Sequence, residues 1–95
     1  MSDIGYNDVR PEVKAFAVLM EQRLRANDHK GGWKDCSPGH LYEKFVEERW
    51  EFEQVLVRAW LITFPAEAVG HEAADVANLA MMNCDHYGAL PKVQP

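Results

Sequence analysis

Two cysteines, Cys36 and Cys84, are all the thiol chemistry this 95-residue chain offers. They lie far apart and form no CxxC pair, which argues against a disulfide framework or a thiolate metal site and fits reduced thiols. No stretch approaches the roughly 20 apolar residues that cross a bilayer. The opening MSDIGYNDVR has neither the basic region nor the apolar region of a signal peptide, so a cytoplasmic protein is expected. Basic charge is also scarce: 10 Lys and Arg stand against 15 Asp and Glu, for a net charge of −5. That argues against a general nucleic-acid backbone binder, which needs a basic patch. It leaves room for a small anionic ligand held through a metal ion. Internal repeats, low-complexity runs and the period-two alternation of strands are all missing.

Helical patterning fills that space. Pro11 suits a first helical position, with Glu12 in the first turn; Val13, Phe16, Ala17, Met20 and Leu24 then recur at helical spacing up to about Asn27. The run NDHKGGWKDCSPGH has the turn chemistry of a loop. A second helix is expected after Ser37-Pro38, from about Leu41 to Ala59. Leu41, Phe45, Phe52, Leu56 and Ala59 form one apolar stripe on it. Val46, Trp50 and Val57 form another on a different side, and a helix apolar on two sides expects contact beyond its own chain. TFPAEAVG turns the chain into a third helix. Thr63 is the candidate cap, Pro65 or Ala66 the first position, and Gly88 the stop after about Tyr87. The fold class is therefore all-α: one domain over residues 1–95, a bundle of three main helices completed by oligomerisation, with residues 1–9 and 89–95 as loose tails.

The third helix carries the chemical question. HEAADVANLAMMNC, residues 71–84, is built of Ala, Val, Leu and Met, yet it holds Glu72 and Asp75 and no Lys or Arg. A buried carboxylate without a partner costs several kcal/mol or takes up a proton. Glu48 and Glu51 repeat the same i, i+3 spacing on the second helix, so each pair shares one side of its helix. Two such helices face to face would converge four carboxylates. A hard all-oxygen set at that spacing suits Mg²⁺ or Mn²⁺ rather than zinc, and it lacks the two Glu-x-x-His motifs of a helical di-iron centre. The competing reading makes Glu48 and Glu51 part of a solvated charged face and pairs Glu72 and Asp75 with Arg49 or Arg58.

Glu47-Glu48-Arg49-Trp50-Glu51, a gap of 20 residues and Glu72-Ala73-Ala74-Asp75 resemble the EExxE…ExxD signature of MazG-like nucleotide pyrophosphohydrolases. These are the all-α NTP pyrophosphatases, which include dimeric dUTPases and phosphoribosyl-ATP pyrophosphatase. The loop Lys30-Gly31-Gly32-Trp33 and the run Asp75-Val76-Ala77-Asn78 resemble small phage and bacterial members, and the likeness spans about residues 12–88. The resemblance implies a Mg²⁺-dependent hydrolase, with Mn²⁺ as a substitute. It would cleave a nucleoside triphosphate between the α and β phosphates to give a monophosphate and pyrophosphate, as a homodimer or homotetramer. The implied metal ligands are Glu48, Glu51, Glu72 and Asp75, and either Glu48 or Glu51 would serve as the base. Glu47, on the polar face with Glu43 and Gln54, would stand behind them or be exposed.

Three further residues suit a nucleotide. Lys30 would meet the phosphates, or be an ordinary solvated lysine. Trp33 would stack on a base, or cap the core beneath its loop. Asn78, three residues past Asp75, would donate to a sugar hydroxyl or phosphate, or bond across a helix interface. His29, His40, His71 and His86 show no ligand spacing to one another. The alternative function is a non-catalytic helical dimer whose carboxylates pair with arginine.

Overall fold

A computed structural model describes residues 4–93. Three helices carry the fold: α1 (Pro11–Ala26), α2 (Pro38–Leu61) and α3 (Ala66–His86). Single 3-10 turns at Tyr6–Asp8 and Asp28–Lys30 flank α1. Of the expected loose tails, residues 1–3 and 94–95 lie outside the described residues.

Local chemistry places the helix ends. Pro11 opens α1 and Arg23 and Arg25 fall in its last turn, where cations oppose the helix dipole. Asn27 closes α1, its side-chain amide donating to the Arg23 carbonyl at 3.0 Å. Ser37 caps α2 by accepting from the His40 backbone N–H at 3.1 Å, with Pro38 in the first turn. This cap starts α2 a turn earlier than the apolar stripe alone indicates, and the helix runs on to Leu61. At the start of α3, extended Pro65 holds the cap position and no side chain caps the helix, so Thr63 does not play that part. Gly88, at φ +68°, takes the left-handed conformation that ends α3.

α3 lies between the other two helices, and α1 and α2 do not pack on each other among the described residues. α2 and α3 run antiparallel as a helical hairpin: Asn83 near the end of α3 donates to the Leu41 carbonyl near the start of α2 at 3.4 Å. The deepest side chains sit along this arrangement: Leu41 is 2% exposed, Ala74 0% and Asn78 3%. Gly70 lets α1 approach α3, since a Cβ there would meet Leu19 Cδ2 at 3.3 Å. Asn78 ties the same two helices by donating to the Met20 carbonyl at 3.0 Å.

Much apolar surface stays uncovered. Trp50, Val57, Trp60, Leu61 and Ile62 are all exposed, Trp60 at 83%, as are Val13, Phe16 and Val18 on α1. The second apolar side of α2 therefore faces away from its own chain at Trp50 and Val57. The accessible surface is 7381 Å², whereas a compact monomer of 10.8 kDa exposes about 5,500 Å². No helix among the described residues is long and apolar enough to cross a membrane.

Candidate metal centre and adjoining cleft

The antiparallel hairpin brings the two carboxylate pairs level with each other. Glu48 and Glu51, one turn apart on α2, meet Glu72 on α3, and one oxygen from each lies within 4.8 Å of the others. All three residues are partly buried. None takes part in a salt bridge among the described residues. Glu72 Oε2 is buried and has no hydrogen-bond partner. An orphaned anionic oxygen beside two further carboxylates is the environment that a hard cation completes.

The electrostatics follow from that crowding. Burial, then the charges of Glu51 and Asp75, push the Glu48 carboxyl up to about 7. Burial and the Glu51 and Asp75 charges also raise Glu72, with Arg23 and His71 partly opposing them. Without a cation this cluster retains protons that isolated glutamates would have lost.

Asp75 is arranged differently. Both its oxygens accept from one guanidinium: Arg23 Nε to Oδ1 and Arg23 Nη2 to Oδ2, each at 3.0 Å. That bond is the main reason the Arg23 guanidinium is held above its ordinary value, with the Asp75, Glu72 and Glu48 charges adding to it. The cation comes from α1, not from Arg49 or Arg58. Arg49 instead lies 3.8 Å from Glu53 on the exposed surface of α2, and Arg58 joins no salt bridge among the described residues. The helical wheel contains a partial signal for Arg23: it falls within about 40° of Leu19, which meets Gly70 of α3, so its charge lies toward a packed side of α1 and needs a partner there.

A cleft of about 250 Å³ opens beside the carboxylates, lined by Arg23, Lys30, Lys44, Glu48, Asp75 and Asn78 over an apolar floor of Leu24, Leu79 and Met82. Lys30 thus faces the acidic centre. Lys44, one turn before Glu48, is a second lysine there that motif reasoning passes over. A second space of about 170 Å³ shares Lys30, Lys44, Leu79 and Met82 and extends to Gly31, Gly32, Trp33 and Leu41. Trp33 is partly buried against this apolar space, and its indole N–H donates to Asp85 Oδ2 at 2.9 Å. Asp85 also accepts from Lys34, and these two donors, Lys34 first, hold its carboxyl below the usual range. The Trp33 loop is thus pinned to the end of α3, and Gly31, at φ +86°, makes the bend that leads into it.

Of the residues singled out by sequence, Glu48, Glu51 and Glu72 converge; Asp75, Lys30 and Asn78 border the same cleft; and Trp33 stands at its apolar extension. Asn78 spends its amide N–H on the α1–α3 interface, while its Oδ1 is buried without a partner. Cys36 and Cys84 are both free thiols. No protein-family model matches the chain, and no curated protein or solved structure matches it.

Proposed function

We propose that the chain is a Mg²⁺-dependent nucleoside triphosphate pyrophosphohydrolase, with Mn²⁺ able to substitute, that releases a monophosphate and pyrophosphate. The observation that carries this reading is the convergence of Glu48, Glu51 and Glu72 around an orphaned buried oxygen, next to a cleft with three cationic side chains. Anionic ligands for a cation and cationic ligands for an anion stand side by side. That is the complementarity a metal–polyphosphate substrate needs.

Glu48, Glu51 and Glu72 would hold the metal, with Asp75 one turn from Glu72 as the fourth ligand. When bound, a divalent ion offsets phosphate charge and makes water acidic enough to attack at neutral pH. The chain supplies the rest. Arg23, Lys30 and Lys44 line the cleft where the phosphate oxygens would lie. Lys30 sits between the acidic centre and the apolar space at Trp33, so it would bridge the phosphates and the nucleoside. Trp33, Leu79 and Met82 offer apolar and aromatic surface to a base without hydrogen-bond readout. Glu48 or Glu51, both beside the bound ion, would take the proton of the attacking water.

The working form is a homo-oligomer, a dimer or a tetramer. The chain exposes about 1,800 Å² more than a compact monomer would, and a standard interface needs about 800 Å² from each partner. The exposed row of Trp50, Val57, Trp60 and Leu61 is the surface that a second copy would cover.

A second reading has one observation in its favour. The two-bond Arg23–Asp75 pair is what a non-catalytic helical module with structural carboxylate–arginine pairs would contain. That reading leaves Glu48, Glu51 and Glu72 crowded with no cation to offset them.

The variant that separates the two is Glu72→Ala. In a hydrolase it abolishes metal-dependent pyrophosphate release while circular dichroism stays helical. Full activity in this variant would remove Glu72 from the site.

A further inference from the structure

The Arg23–Asp75 pair lies on the border between the acidic centre and the cationic cleft. Both oxygens of Asp75 are taken by Arg23, so Asp75 has turned toward α1 while Glu72, one turn earlier, faces Glu48 and Glu51. Only Nε and Nη2 of the guanidinium are used; Nη1 donates to no protein acceptor among the described residues. Arg23 lines the same cleft as Lys30 and Lys44. The helices on either side are fastened independently of it, by Asn78 donating to the Met20 carbonyl and by the close approach at Gly70. Arg23 can therefore change partners without α1 leaving α3. Asn78, 3% exposed and with Oδ1 unpartnered, borders the same cleft and marks a second polar atom that the chain alone does not satisfy.

We propose that Arg23 is a latch that competes with a divalent cation for Asp75: the guanidinium holds Asp75 in the empty protein, and cation binding draws Asp75 toward Glu72 and frees Arg23 for anionic oxygens in the cleft. The inference rests on the metal-centre reading above. Its physical basis is competition for the direction of one carboxylate. The side-on guanidinium takes one lone pair on each Asp75 oxygen and holds the group toward α1, outside the Glu48–Glu51–Glu72 cluster, whereas a small dication in that cluster needs an Asp75 oxygen turned toward it. Two positive groups on one carboxylate also repel each other. The consequence is coupling: the act of loading metal releases a planar, multi-donor cation where a phosphate would sit. Arg23 is thus a positioning residue for Asp75 in one state and an anion ligand in the other.

Mn²⁺ titrated calorimetrically into EDTA-stripped, dialysed protein, with no nucleotide, tests the latch. The comparison is between wild type, Arg23→Lys and Arg23→Gln. Lysine keeps the charge but cannot make the side-on pair, so Arg23→Lys binds Mn²⁺ about tenfold more tightly or better, the lower end of the size expected from losing one charge-assisted hydrogen bond. Equal or weaker binding by Arg23→Lys overturns the latch. So does tighter binding by Arg23→Gln alone, which would make the effect one of net charge. If neither wild type nor variants bind Mn²⁺, the metal-centre reading fails and takes the latch with it. A variant-free check is the Arg23 Nε–H resonance of the wild-type protein. It shifts and exchanges faster with water at saturating Mg²⁺ if the pair opens; an unchanged resonance in metal-loaded protein overturns the proposal.

Discussion

Glu48 makes the stability of the metal-free protein depend on pH in an unusual direction. Its carboxyl is pushed from the ordinary 4.5 to about 7 in the folded chain, by burial first and by Glu51 and Asp75 next. Between those two values the folded state binds more protons than the unfolded state, so stability falls as pH rises through the window and is fully present below it. A shift of that size has a ceiling of about 3 kcal/mol. Glu48 is only partly buried, and solvent screening reduces the expected loss to about 1–2 kcal/mol. Glu72 is raised too and acts with the same sign. Urea denaturation followed by helical circular dichroism, at fixed protein concentration in EDTA, should therefore give a higher midpoint at pH 5 than at pH 7.5. Glu48→Gln should flatten that profile, matching wild type at low pH and exceeding it at pH 7.5. Saturating Mg²⁺ should restore the wild type at pH 7.5, because the cation does what the proton did and adds binding energy by mass action. Stability that rises with pH across this window in EDTA, or a Glu48→Gln profile that tracks wild type, would refute the account of the carboxylate cluster.

Other perturbations separate the parts of the molecule. Glu72→Ala should leave the metal-free protein as stable as wild type or more so, because it relieves repulsion. Asp75→Ala should cost about 1–3 kcal/mol by stranding the partly exposed Arg23, and a thermal melt of the two variants in EDTA checks the contrast. Leu41→Ala, at a site 2% exposed, should cost about 2–5 kcal/mol in urea denaturation. Trp60→Lys, at the most exposed apolar side chain, should lower the mass measured by light scattering while leaving helical content intact; an unchanged mass would move the interface elsewhere.

The helices were legible because their signals are local. Pro11, Ser37-Pro38 and Gly88 sit at or beside helix ends, and apolar spacing between them marks three helices. The pairing of Glu48 and Glu51 with Glu72 was legible because an i, i+3 repeat on two helices needs only an antiparallel hairpin to close it. Arg23 was less so. It follows Asp75's needs from another helix 52 residues away in sequence, and such a partner depends on how α1 crosses α3, which spacing within α1 does not reveal. Asn78 shows the same limit: its position beside Asp75 was readable, but the carbonyl of Met20 that takes its amide N–H was not. Lys44 and Asp85 carry no motif at all. Each gains its place, at the cleft and beneath Trp33, only when α2, α3 and the intervening loop are packed together.

The first measurement is pyrophosphate release by the wild-type chain from a panel of dNTPs and NTPs, in parallel with Mg²⁺, with Mn²⁺ and with EDTA. A pyrophosphohydrolase gives equal amounts of pyrophosphate and nucleoside monophosphate with either metal and none in EDTA. Folded, metal-bound protein that releases no pyrophosphate from any nucleotide, or release that persists in EDTA, would contradict the proposed activity.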